Sequence, residues 1–290
     1  MNNPLNTRQL AVAEMKSSIS SDLWQQNHEF VEQLHAKIRQ HAVSIHPAIA
    51  ALNTHSFNKS EIQAVHLDYR HAIVQIFTDA LLMAQYQCKQ LEPRLTSGEK
   101  MFPRFLLTLN ILDEFGFQSG SNEQGEYIGT PHNAHYPLFE SVLSDLDITE
   151  ADRKSYIPSS MASRLRECLE RSYTDLDAVV ALLGVAEEIV VLFSAPLRRN
   201  VSSLGVDVSS GYYWFHGTSD DTDSQANDDT HASDLRHVLT QALTPDKYAQ
   251  IEAVCLEYCD IWLEFWDHQM ERLLHRRIQA EKRELIVTHS

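Results

Sequence analysis

Three stretches of this 290-residue chain set carboxylates and imidazoles at spacings that could chelate a metal ion. The first is Asn110-Ile-Leu-Asp113-Glu114-Phe-Gly116, followed after a loop by His135-Tyr-Pro-Leu-Phe139. Glu114 closes an apolar run through Phe105, Leu106, Leu109 and Leu112. The second is Glu187-Glu188, two adjacent charges inside DAVVALLGVAEEIVVLF. Charges are rare in the middle of so apolar a helix unless they are paired or hold a metal. Neighbouring helical positions face different sides, so one glutamate is expected inward and the other at the surface. The third stretch runs from Tyr212-Tyr-Trp-Phe-His216-Gly-Thr-Ser-Asp220 to Asp228-Asp-Thr-His231-Ala-Ser-Asp234-Leu-Arg-His237. His216 and Asp220 stand at i, i+4; Asp228, His231, Asp234 and His237 follow one another at i, i+3, a spacing that puts neighbours on one helix face.

Read singly, each stretch has a plain structural explanation: a solvated helix end, a buried salt bridge, an acidic surface loop. Together they supply Glu, His, Glu, His, Asp and His from several helices. Oxygen donors with imidazole suit iron or manganese, and the absence of thiolates argues against an iron–sulfur cluster. Carboxylate-rich di-iron sites are built inside helical bundles in this way. The four cysteines add little. Cys255 and Cys259 lie at i, i+4 with no second pair nearby, so they are expected to be buried packing residues and not zinc ligands.

The elements that must carry these residues read as helices nearly throughout. Apolar residues recur every three to four positions over 21–43, 60–91, 97–115, 136–145, 159–172, 174–193 and 245–283, with a further helix near 206–218. Thr149-x-x-Asp152 reads as a capping box and Thr244-Pro245-Asp246 as a helix start. Thr174 is placed as the cap of the apolar helix. The stretch 116–134 holds four of the nine glycines and reads as a loop, and 219–229 reads as acidic and irregular. No strand pair is expected, and the scarcity of glycine argues against a turn-rich β fold. The fold class is therefore all-α, a bundle of about seven to nine helices in one domain over 1–290, its core at 21–283 and its ends peripheral.

Lys and Arg total 24 against 40 Asp and Glu, a formal charge of -16. So acidic a chain repels phosphate backbones and anionic lipid, which sets nucleic-acid and membrane-surface roles aside. No secretory leader and no apolar run of membrane-spanning length is read. A cytoplasmic protein with reduced thiols is expected.

These residues resemble those of the haem-oxygenase-like di-iron oxidases, the iron-containing redox enzymes that share a fold with the TenA-type thiaminases and the PqqC protein. The resemblance runs from about His46 to Asp267. It begins with HPAIAALNTHSFNKSEIQAVHLDYRHAI, similar to the family's HP…L…L…Y opening. A Glu before a Gly, a His-x-x-Leu-Phe, a Glu in an apolar helix and a His-x3-Asp-x2-His follow in the family. Here they match Glu114, His135, Glu187 and His216. The last motif is interrupted. Removing about eight residues would restore HGTSDDTHASDL, so an insertion splits the ligand helix. The resemblance then implies a metal set of Glu114, His135, Glu187, His216, Asp228 and His231, with Asp220, Glu188, Asp234 and His237 as alternates.

What the resemblance implies is a non-haem di-iron centre, two Fe(II)/Fe(III) ions per chain, with O2 as co-substrate. The reaction is expected to be an oxidase or oxygenase reaction on a small molecule, an amino acid or amine, by N-oxygenation, desaturation or oxidative C–C cleavage in a biosynthetic pathway. Expected partners are the substrate, an electron-donating reductase and a second copy of the chain as a homodimer. The alternative is a metal-free enzyme of the TenA or PqqC kind, or a non-catalytic bundle. Tyr69, His71 and Asp79 are further candidates for lining the cavity or supporting the ligands.

Overall fold

The structure, a computed structural model, describes residues 6–216 and 227–288, apart from the side chains of 119, 227–229, 277 and 279–288. Local chemistry sets most helix starts. α1 (Thr7–Ser17) and α4 (Lys59–Tyr69) open on capping boxes, Asn6 with Gln9 and Asn58 with Glu61. α2 (Ser21–Gln40) is capped by Ser20, and α3 (Pro47–Asn53) by the His46 ring with proline at its first position. α5 (Phe77–Gln87), α6 (Met101–Glu114) and α7 (His135–Asp145) follow, then α8 (Glu150–Ser155) behind the Thr149–Asp152 box and α9 (Ser160–Arg171). α10 (Leu176–Ser203) is capped by Asp175, one residue beyond the expected Thr174. α11 (Tyr212–Phe215), α12 (Asn227–Ala242) and α13 (Tyr248–Thr288) complete the chain.

α10 is the axis of the bundle. α3, α5, α12 and α13 pack along it, and α9 and α13 close the far side. The apolar core is continuous from Ala11 to Leu273 and is densest where Trp266 of α13 stacks on Phe193 of α10, ring centroids 4.0 Å apart. α10 is also long and apolar enough to cross a membrane, which corrects the reading that no run has that length; its 18-residue window has a mean hydropathy of 2.2. Two-thirds of that window is buried inside the bundle, so the apolarity is spent on the core.

Four further differences separate the structure from the sequence reading. The stretch after Gly116 contains a short antiparallel hairpin, β1 (Phe117–Ser121) with β2 (Tyr127–Gly129), where a loop without strands was expected. The single helix expected over 60–91 is broken by a π-turn at Arg70–Val74 between α4 and α5. The first twenty residues, expected to be peripheral, contribute α1, whose Met15 is fully buried and which packs on α6 and α12. Periodicity hid it because only Ala11 and Met15 of α1 reach the core. The helix expected near 206–218 is the single turn of α11. All four cysteines are free and buried, as the spacing of Cys255 and Cys259 suggested.

Candidate metal centre

Glu114 is the last residue of α6 and His135 the first of α7, twenty-one positions apart. The hairpin makes them neighbours. The chain leaves α6 through Gly116, runs out along β1, returns along β2 and comes back against Gly116 at residues 130–134. Gly116 has φ +80, and a Cβ there would lie 2.6 Å from the backbone of Thr130, Asn133 and Ala134. Only glycine allows both that conformation and that approach. As a result His135 Nδ1 lies 2.9 Å from Glu114 Oε1.

α11 brings His216 to the same place, its Nε2 3.1 Å from His135 Nδ1 and its ring packed on Tyr212. α10 presents Glu187 from the opposite side, and α12 presents His231, whose Nδ1 is 3.5 Å from Glu187 Oε1. Glu114, His135, Glu187, His216 and His231 are all buried. The first four of them surround a cavity of about 30 Å³, enough for one water-sized body. Ile73, Val74 and Phe77 form its apolar wall, so the π-turn between α4 and α5 carries two of its lining residues. A wider chamber of about 610 Å³ lies on the outer side of His135 and His231, between α1, α6 and the hairpin. Arg8, Asp113, Phe117, Gln118 and Phe215 line it.

The remaining sequence candidates fall elsewhere. Glu188 faces away from Glu187 and pairs with His35 and with Arg39 Nε at 3.2 Å, so the adjacent glutamates divide between inside and surface as expected. Asp234 pairs with Arg8 of α1. His237 lies by a separate shallow pocket with Asp234 and Ser233. Asp220 and the side chain of Asp228 lie outside the described residues, and so does the rest of 217–226. Tyr69 is buried among Phe139 and Trp262, His71 is half-buried near Arg166, and Asp79 is exposed; none lines the small cavity.

Asp113 has no assigned role in the sequence reading, yet its Oδ2 lies 3.2 Å from His231 Nε2 and 3.9 Å from His135 Nε2. The adjacent acidic pair at the end of an apolar helix was the available signal.

The charges are mutually adjusted. Burial opposes ionisation of Glu114, but His135 outweighs it and holds the carboxyl below its ordinary range. Asp113 is likewise held low by His231 against the cost of its own burial. Burial alone would depress His231; Asp113 and Glu187 instead raise it to about 10. In the metal-free chain a proton on His231 thus offsets part of the carboxylate charge, a role open to a divalent cation.

The donor set fits such a cation. His135 Nδ1 is the near neighbour of both Glu114 Oε1 and His216 Nε2. One nitrogen carries at most one hydrogen and cannot serve two linear hydrogen bonds. Donors that share an ion at about 2.1 Å lie roughly 3.0–3.4 Å apart, close to the separations seen across the cluster. Among the described residues, no group of three or more His, Cys, Asp or Glu side chains is arranged to hold a metal ion as they stand.

The bundle is similar to two solved proteins in particular. One is a CADD-like protein of unknown function from Nostoc punctiforme, with a TM-score of 0.60 and 15% identity over 86% of this chain and 99% of that one. The other is a TenA homolog from Pseudomonas syringae pv. tomato, with a TM-score of 0.56 and 14% identity over 93% and 98%. No protein-family model and no curated protein sequence matches the chain. At such identities the likeness concerns architecture, and it places the chain in the all-α, haem-oxygenase-like fold of the TenA and CADD-like proteins.

Proposed function

We propose that this chain is a non-haem di-iron oxidase or oxygenase acting on a small molecule, an amino acid or amine, in a biosynthetic pathway. The observation that carries the reading is the convergence of Glu114, His135, Glu187 and His216, from four separate helices or helix ends, around one buried cavity, with His231 of a fifth helix beside Glu187. These residues would hold the iron, with Asp228 or Asp220 as the further carboxylate. When bound, the metal would supply O2 activation.

The chain's own part is positional and electrostatic. Glu114 of α6 and Glu187 of α10 both line the cavity, so two buried carboxylates share one small space. Ile73, Val74, Phe77 and Val190 exclude water from it. The outer chamber is large enough for an amino acid or amine and offers both polar and apolar lining, with Arg8, Gln118 and Asn133 opposite Leu109, Phe117 and Phe215. An electron-donating reductase would complete the cycle.

The test is iron per chain by metal mass spectrometry after anaerobic Fe(II) loading, then stopped-flow absorbance on O2 addition with candidate amino acids and amines. Up to two irons per chain are expected, with stoichiometric uptake lost and only weaker binding left in His231→Ala, and full uptake kept in His237→Ala. Iron kept by His231→Ala and lost by His237→Ala would move the ligand set to Asp234 and His237. A chain that takes up no iron would favour the metal-free reading. In that case the buried Glu114–His135 pair, at 2.9 Å, is the acid–base couple the cavity offers.

A further inference from the structure

Asp113 stands between the two cavities. Its neighbour Glu114 faces the small inner cavity, whereas Asp113 lines the outer chamber and meets His231 and His135 from behind. His231 therefore has two distinct ring faces. Nδ1 looks toward Glu187, on the cavity side, at 3.5 Å; Nε2 looks toward Asp113, on the chamber side, at 3.2 Å. His135 has the same polarity. Its Nδ1 meets Glu114 and His216, and its Nε2 points to Asp113 at 3.9 Å.

We infer that Asp113 is a positioning residue that keeps the Nε2–H of His231 turned outward, so that this ring presents Nδ1 to Glu187 and the metal cavity. The inference rests on the metal-centre reading above. A neutral imidazole has one N–H and one lone pair. A carboxylate on Nε2 selects the tautomer with the lone pair on Nδ1, fixes the ring's rotation and makes Nδ1 a stronger donor. α6 places Asp113 on the Nε2 side of His231, while its neighbour Glu114 meets Nδ1 of His135. Asp113 is only about one-quarter exposed, and its charge acts on Arg8 of α1, which lines the same chamber. α1 itself is tied down by Arg8 pairing with Asp234 and donating to Asn110 Oδ1 at 3.3 Å.

The probe is Co(II), added to the metal-free full-length chain and followed by its visible absorption. Wild type is compared with Asp113→Asn, Asp113→Ala, His231→Ala and the His231→Ala/Asp113→Asn double variant, with circular dichroism confirming the fold of each. Asp113→Asn and Asp113→Ala should weaken Co(II) binding by about 10- to 100-fold while reaching the wild-type stoichiometry at saturation. The double variant should bind little more weakly than His231→Ala alone, because Asp113 acts mainly through that ring. Affinity within twofold of wild type in both single variants would overturn the positioning role. So would stoichiometry lost at saturation, which would make Asp113 a ligand, or full additivity in the double variant. Wild-type protein that takes up no Co(II) would overturn the metal-centre reading and this inference with it.

Discussion

Replacing Gly116 by alanine tests how the chain joins Glu114 to His135. Two costs add. The first is conformational: a non-glycine residue at φ +80 costs about 1 kcal/mol. The second is steric. The new Cβ would stand 2.6 Å from three backbone atoms, of Thr130, Asn133 and Ala134. Backbone cannot rotate away as a side chain can, so the returning segment 130–134 must shift by most of an ångström, at roughly 1–3 kcal/mol. Gly125 is the internal control. It has the same φ of +80 but nothing within 4 Å of its would-be Cβ, so Gly125→Ala carries the first cost alone. The expected result is a loss of about 2–4 kcal/mol for Gly116→Ala against about 1 for Gly125→Ala. That difference corresponds to melting temperatures several degrees apart. The displaced segment leads directly into His135, so Gly116→Ala should also lower Co(II) affinity at least tenfold, and Gly125→Ala should not. Thermal melts and metal titrations of the two variants check this. Equal stabilities and equal metal affinities would refute the claim that the hairpin's return against Gly116 is what docks His135 on Glu114.

The two adjacent glutamates of α10 should behave oppositely. Glu187→Gln is expected to lose tight metal uptake at little cost in stability, since it removes one of several like charges in a buried cluster; Glu188→Gln should keep uptake and lose about 1 kcal/mol from its partly exposed pairs with His35 and Arg39. Metal content and melts of the two purified variants decide it, and the reverse pattern would place the inward face of α10 wrongly. His66 should give the chain an acid-sensitive stability. Its burial lowers the imidazole to about 4, and its ring lies between Ile62 O at 2.8 Å and the Tyr213 hydroxyl at 2.7 Å. The folded state then binds fewer protons than the unfolded chain between about pH 6.5 and 4, so stability falls by up to about 3 kcal/mol as pH drops through that window. Urea unfolding at pH 7, 5.5 and 4.5 should show a shallower loss in His66→Gln, and an unchanged slope would refute the linkage.

The sequence by itself determined the helical class, because the three- to four-residue apolar period, the capping box at Thr149 and the proline at 245 are local properties that need no tertiary partner. It also singled out Glu114, His135, Glu187, His216 and His231, because charges and imidazoles at helix ends or in apolar runs are costly unless something meets them. It could divide Glu187 from Glu188 by helical geometry alone. The tertiary structure decided the rest. Whether the 20 residues between Glu114 and His135 separate or join them depends on the return of the chain to Gly116, a contact between distant backbone atoms. The π-turn at Arg70–Val74 is invisible to periodicity, since α4 and α5 on either side keep the helical period and the register shifts only within the turn. α1 joins the bundle through Met15 and the Arg8–Asp234 pair, and neither has a signature along the chain. Asp113 was legible as a residue and illegible as a role. Its neighbour's side and its own diverge by the angle of one helical step, and only the placement of α7 and α12 around the end of α6 turns that angle into an inner face at Glu114 and an outer face at Asp113.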